Sequence, residues 1–286
     1  YAFDGPALHF GAAVLDGEAF AAAPVRIPLS MMNRHGLVAG ATGTGKTKTL
    51  QLMAEQLIEQ GVPVFLADIK GDLSGMASPG EMNSFIEKRK AEIGLDWTPT
   101  AYQAEFFALG GQGKGIPVRA SVSQFGPILL SKVLGLNQTQ ESSLTLIFHY
   151  ADEKGLWLDT LDDLRSVVQF LMSDAGKPEL KEIGGISSAT AGVILRELTA
   201  FGSQGADAFF GLPEFDSADF IRTAPDGKGV LSLLELPAIQ DQPEVFSTFL
   251  MWLLADLFAT LPEEGDLDKP KLVFFFDEAH LLFNGA

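Results

Sequence analysis

Hydrophobic and polar positions recur along this chain with two different periods, and the switches between them lay out its elements. Alternation over Leu8 to Val14 and Val25 to Pro28, with a Gly and Asp turn between, predicts two short strands, a β lead-in over residues 1–30. From His35 the pattern reads as a strand (Gly36 to Ala39), a glycine loop, a helix (Lys46 to Gln60) and a second strand (Val62 to Ala67), which is one βαβ unit. Helical spacing returns at Glu81 to Ile93. Two extended pieces follow, Glu105 to Leu109 and Pro117 to Val122, and the Gly-rich turn Gly110 to Gly115 between them predicts a hairpin. Apolar residues three and four apart then predict helices at Ile128 to Leu134, Thr139 to Tyr150, Leu161 to Ser173 and Ser187 to Phe201. Strand character resumes at Gly229 to Leu236, passes through a helix near Pro243 to Leu261, and ends in the apolar run Leu272 to Phe276. Strands alternating with helices predict an α/β fold with a mainly parallel sheet. The expected plan is one domain over residues 31–286, with a hairpin and helical insertion at about 80–225.

Composition narrows this picture more than it redirects it. The 286 residues, 47% hydrophobic and 20% charged, suffice for a large core and leave no room for extensive disorder. Cysteine is absent, which excludes disulfides, thiolate catalysis and zinc sites built on cysteine. A net charge of −17 argues against a broadly basic surface for duplex nucleic acid, so any such contact is expected to be local. Lys88, Arg89 and Lys90 form the one dense basic run and are read as a solvated helix face. The N-terminal residues lack a secretory pattern. The most apolar helical stretch, Phe246 to Leu261, contains Asp256 and falls short of the roughly 20 residues of a membrane span, so it is read as a core helix. A cytoplasmic protein without a membrane partner is expected. A chain that begins at Tyr1 and stops soon after an Asp-Glu-Ala-His segment is expected to be a fragment.

The chemistry is concentrated in two segments. Gly40-Ala41-Thr42-Gly43-Thr44-Gly45-Lys46-Thr47 matches the phosphate-binding P-loop pattern and sits between a predicted strand and a predicted helix. Its glycines let backbone N–H groups turn toward phosphate oxygens, and the helix that follows offers the same anion its positive end. Lys46 is expected to bridge the β- and γ-phosphates, Thr47 to ligate magnesium, and Lys48 to complete the nucleotide-contacting set. The second segment is Leu272-Val273-Phe274-Phe275-Phe276-Asp277. A strand apolar on both faces belongs at a sheet centre, which brings Asp277 to the carboxyl edge as the magnesium-holding carboxylate. Glu278 is then the expected general base, orienting the water that attacks the γ-phosphate; a protein that only bound nucleotide would not need it. No Asn-Lys-x-Asp guanine motif occurs, so ATP with Mg2+ is the expected ligand pair.

Several tempting features carry less. Asp277-Glu278-Ala279-His280 spells the signature of one helicase class, but Ser188-Ala189-Thr190, which resembles a partner motif of that class, precedes it instead of following. About 230 residues also separate Lys46 from Asp277. In Asp68-Ile69-Lys70-Gly71-Asp72 two readings stay open: Asp68 faces a nucleotide pocket next to the P-loop strand, or Asp68 and Asp72 cap the turn by accepting backbone N–H groups. Arg196 is either a finger for a neighbouring subunit or, the reading preferred here, an ordinary surface ion pair. His35 and His149 have no partners at metal-ligand spacing and are read as structural.

Met32-Asn33-Arg34-His35-Gly36-Leu37, the P-loop, Ala67 to Leu73 and Lys271 to Phe283 together resemble the YjgR-like family of bacterial HerA/FtsK-type P-loop ATPases. The likeness extends over essentially the whole chain, including Gly205 to Gly211 and Asp226 to Gly229. It implies a RecA-like core of the class with an additional strand and a catalytic glutamate, an extra strand lying between those that bear the two nucleotide motifs. It also implies ATP hydrolysis and a homo-oligomeric ring, hexameric when the protein is full length. Relatives move DNA through such a ring; for this chain DNA is a candidate partner that the resemblance does not establish. Relatives continue past the acidic motif with a polar sensor strand and arginines acting between subunits, so the C-terminal part of the domain is expected to be missing. The chain alone is then expected to bind nucleotide weakly and hydrolyse it poorly. The competing expectation is a regulatory switch, in which nucleotide changes affinity for a protein partner.

Overall fold

A computed structural model of the protein describes residues 3–236, 243–261, 263 and 265–278. In chain order its elements are β1 (Ala7–Leu15), β2 (Glu18–Pro28), α1 (Lys46–Glu59), β3 (Val64–Asp68), α2 (Ser84–Ile93), β4 (Ala104–Leu109), β5 (Ile116–Val118), α3 (Val122–Val133), α4 (Gln138–Glu153), α5 (Leu161–Met172), α6 (Lys177–Glu182), α7 (Ser188–Ser203), β6 (Leu231–Glu235), α8 (Pro243–Thr260) and β7 (Val273–Phe276). Two compact units divide them. The first holds residues 3–107 and 217–236 with the described part of 261–278, and the second holds 108–216 and 243–260.

In the first unit β3 is buried at every position, as an apolar run without alternation should be. It pairs in parallel with β6 on one edge, from Val64 opposite Leu231 to Asp68 opposite Glu235. On the other edge it pairs in parallel with β7, from Val64 opposite Val273 to Ala67 opposite Phe276. Helix α1 turns Leu50, Met53, Ala54, Leu57 and Ile58 into a core shared with Val64, Leu66, Leu231, Leu233 and Phe275. The alternate positions of the sheet meet a second set of rings: Phe65 lies 5.0 Å from Phe220 and 5.3 Å from Phe274, and Phe220 lies 5.1 Å from Phe107. Edge-to-face and tilted contacts of this kind add to simple area burial.

Among the described residues the strand order is β5-β4-β6-β3-β7, a mainly parallel sheet. The predicted hairpin of β4 and β5 is present, and Gly110 N–H closes it on the Val118 carbonyl at 2.9 Å. A side chain at Gly110 would sit 2.2 Å from the Ala208 carbonyl oxygen, so glycine is required there.

Two expectations for this sheet need correction. The strand predicted at Gly36 to Ala39 does not form: these residues join no described strand, β6 and β7 take the places beside β3, Leu37 is 85% exposed, and only Val38 leans on the core. The run Leu272 to Phe276 was expected at the sheet centre, yet β7 ends the order of described strands, with Phe274 and Phe276 half-buried and stacked on each other.

The lead-in is an antiparallel pair, Ala7 opposite Pro28 through Leu15 opposite Glu18. β2 is longer than expected because its alanine-rich middle shows no alternation to read. The Gln56 side chain of α1 satisfies the open edge of β1, accepting from His9 N–H at 2.6 Å and donating to the His9 carbonyl at 3.0 Å.

The second unit is helical beyond β5. Ser121, Asn137, Thr160 and Ser187 each accept a backbone N–H at the start of α3, α4, α5 and α7, with reciprocal capping boxes at Asn137/Gln140 and Thr160/Asp163. α3 starts earlier than predicted because Ser121 caps it upstream of the Gly126-Pro127 kink. Phe209 centres the core, with ring centroids 5.2 to 6.4 Å from Phe125, Phe210, Phe249 and Trp252. α8 buries Phe246, Phe249, Trp252, Leu253 and Leu257 and leaves Phe258 exposed, so it is a core-facing helix and not one buried all round. Among the described residues no helix is long and apolar enough to cross a membrane.

Candidate functional site

The glycine loop folds around one carbonyl. Ala41 C=O accepts from Thr44 N–H at 3.3 Å, Thr44 Oγ1 at 2.8 Å and Lys46 Nζ at 3.2 Å, which curls residues 41–46 into a closed turn. The turn requires its glycines. Gly43 and Gly45 have φ of 80° and 95°, and a side chain at Gly40 would stand 2.4 Å from Thr44 Oγ1. α1 then begins at Lys46 with no side chain capping it, so its first-turn N–H groups and positive end are available to an anion. Thr42 and Gly43 are exposed on the loop, and the Lys48 ammonium donates to Gln51 Oε1 at 2.9 Å on the next turn of α1.

The sheet supplies the acidic half of the site. β7 ends at Phe276, and Asp277, 7% exposed, lies at the carboxyl edge as predicted. Its Oδ2 accepts from Thr47 Oγ1 at 3.2 Å, joining residues 230 positions apart in sequence. Its Oδ1 accepts from Glu278 N–H at 2.9 Å. Glu278 has φ of 52°, a left-handed conformation uncommon for a residue with a side chain and one that concentrates at functional sites. Its Oε1 accepts from Lys70 Nζ in a close ion pair. That hydrogen bond, reinforced by the charges of Glu278, Asp277 and Asp72, raises the Lys70 ammonium above the ordinary lysine range.

Asp68 resolves in favour of the turn. It is fully buried, and its carboxylate accepts from the N–H groups of Gly71 at 2.7 Å, Asp72 at 3.2 Å and Leu73 at 2.8 Å. Asp72 joins this cap through its N–H rather than its carboxylate. β3 also has no P-loop strand beside it, which removes the premise of the other reading. Nothing in the sequence singles out Lys70, because its contact with Glu278 exists only once β3 and β7 are paired.

The remaining candidates lie apart from this arrangement. Arg196 is exposed on α7 and has no ion pair among the described residues. His149 pairs with Glu153 at 3.4 Å along α4, and His35 is exposed. Lys88 and Arg89 are solvated on α2, with Glu92 3.8 and 3.7 Å away. Ala279 and His280 lie outside the described residues. No cluster of three or more His, Cys, Asp or Glu suited to a metal occurs among the described residues. The Thr47 hydroxyl and Asp277 carboxylate are instead two hard oxygen donors beside a loop of anion-seeking N–H groups. This set suits Mg2+ that keeps waters and takes further oxygens from a phosphate.

None of the curated proteins matches the chain. Among solved structures it is similar to the bacterial conjugative coupling protein TrwBdeltaN70 in an unbound form, with 14% identity over 93% of this chain and 60% of that one and a TM-score of 0.55. It is also similar to VirB4 of Thermoanaerobacter pseudethanolicus, with 14% identity over 98% and 70% of the two chains and a TM-score of 0.51. The plasmid coupling protein TrwB in complex with ADP and Mg2+ gives 13% identity over 95% and 69% and a TM-score of 0.54. At these identities the likeness concerns the fold alone; the chain spans 60% of the length of the first of these structures. The sequence model described as helicase HerA-like C-terminal matches residues 14–286, so the chain belongs to the HerA-like helicase C-terminal family.

Proposed function

We propose that this chain is the ATP-binding and ATP-hydrolysing part of a ring-forming motor with DNA as its substrate. The observation that carries the reading is the meeting of Thr47 Oγ1 with Asp277 Oδ2 at 3.2 Å across 230 residues of sequence. That contact sets a P-loop hydroxyl and a strand-end carboxylate side by side, as a Mg2+-nucleotide site requires. Bound Mg2+ would neutralise charge on the triphosphate. Residues Gly40 to Lys48 would cradle the phosphates with backbone N–H groups, and Lys46 would leave the Ala41 carbonyl for the β- and γ-phosphate oxygens. Glu278 would accept a hydrogen bond from the attacking water and orient it in line with the γ-phosphate. Support for ATP and Mg2+ comes from a fold neighbour in complex with ADP and Mg2+. Support for a DNA-moving ring comes from the HerA-like family and from neighbours described as coupling proteins.

A second reading, a nucleotide-dependent switch acting on a protein partner, is favoured by one observation, the net charge of −17. Phosphate release measured with and without duplex DNA separates the two. A motor predicts release several-fold faster with DNA, whereas turnover indifferent to DNA would replace the motor with the switch.

A further inference from the structure

β3 and β7 run parallel with Ala67 opposite Phe276, so the segments leaving their carboxyl ends start level with each other. From β7 comes Asp277-Glu278. From β3 comes a turn whose shape is set by the fully buried Asp68, which accepts three successive backbone N–H groups. Gly71, at φ 80°, supplies the left-handed step, and its carbonyl accepts from Ser74 Oγ at 3.2 Å. Lys70 rides on this braced turn, and its ammonium meets Glu278 Oε1. On the opposite side of the contact, Glu278 is held by its left-handed backbone and by the bond from its N–H to Asp277 Oδ1 at 2.9 Å. Both partners are thus carried on backbone that is fixed independently of the pair.

We infer that Lys70 is a positioning residue for hydrolysis, holding the Glu278 carboxylate where it orients the attacking water. The inference rests on the reading of Glu278 as general base given above. A glutamate side chain left to its own rotors spreads its carboxylate over several ångströms, and a displacement of about 1 Å in a catalytic group costs on the order of a hundredfold in rate. Lys70 acts through Glu278 and needs no contact with nucleotide. The pair itself is half-exposed, with side-chain exposures of 56% and 23%, and such pairs contribute little to folding. Its loss should therefore register in turnover and leave stability alone.

The test compares wild type with Lys70→Ala, Lys70→Arg, Glu278→Gln and the Lys70→Ala/Glu278→Gln double variant. The measurements are steady-state ATP hydrolysis, binding of a fluorescent ATP analogue and thermal melting. The expected result is a kcat for Lys70→Ala lower by about tenfold to a hundredfold, with KM, analogue affinity and melting temperature unchanged. Lys70→Arg should recover most of the rate, and the double variant should be no slower than Glu278→Gln. If Glu278→Gln is inactive while Lys70→Ala turns over like wild type, or loses affinity or stability in place of kcat, Lys70 has no positioning role and the base assignment survives. If Glu278→Gln hydrolyses ATP like wild type, the base assignment falls and the role of Lys70 falls with it.

Discussion

Replacing Asp68 by alanine removes the acceptor of three backbone donors at one stroke. The N–H of Leu73, a fully buried residue, is left without a partner, and an unsatisfied buried donor costs about 1–3 kcal/mol. The N–H groups of Gly71 and Asp72 sit in half-buried surroundings where water can replace the carboxylate, so each adds a fraction of that. Against these losses stands the relief of no longer holding a carboxylate away from water, which offsets part of the cost. The net expectation is a local destabilisation of about 2–4 kcal/mol. Because the chain forms two compact units, a single unfolding midpoint need not report on this turn; amide hydrogen exchange resolved to residues 71–73 does. Leu73 exchange should accelerate by more than about thirtyfold in Asp68→Ala. Asp68→Asn, which keeps one oxygen but opposes an NH2 to a remaining donor, should fall between alanine and wild type. Unchanged exchange at Leu73 in Asp68→Ala would refute the claim that this carboxylate sets the turn.

Two further perturbations probe the same unit. A side chain at Gly229 would lie 2.0 Å from the Val62 carbonyl oxygen, backbone against backbone where Gly229 N–H also donates to the Ile58 carbonyl at 2.9 Å, so Gly229→Ala should cost about 2–4 kcal/mol in urea unfolding; a change below about 0.5 kcal/mol would contradict the close approach. Burial raises the Glu55 carboxyl above its ordinary 4.5, with the Trp97 Nε1 hydrogen bond at 2.8 Å opposing it. A carboxyl raised in the folded state binds more protons there than when unfolded, so its contribution to stability falls as pH rises from 4.5 through the raised value. Glu55→Gln should therefore gain on wild type over that window by less than about 1 kcal/mol, since solvent reaches part of the group; a gap that widens as pH falls would reverse the assignment.

What the sequence disclosed was what local pattern can carry. The P-loop is a contiguous string whose glycines and helix start are neighbours in the chain, so its geometry followed from its spelling. Asp277 was placed at a strand end by the apolar run before it. Of the helices capped inside their own sequence, α5 at Thr160 matches its expected span to within one residue, while α4 at Asn137 starts within one residue and runs three residues past its expected end. α6 escaped because six residues with Pro178 carry too little period to read. The place expected for Gly36 to Ala39 beside β3 was wrong for a non-local reason, since nothing in those residues tells that β6 and β7 occupy both edges of β3. Lys70 escaped for the same reason: its partner lies 208 positions away, and only strand pairing brings them together.

Hydrolysis of ATP at the P-loop with Glu278 as base stands or falls on separating binding from turnover in Glu278→Gln. Affinity for ATP-Mg2+ and phosphate release are measured side by side with wild type. The variant should bind ATP-Mg2+ as tightly as wild type and release phosphate at least about a hundredfold more slowly. Phosphate release at the wild-type rate would contradict it.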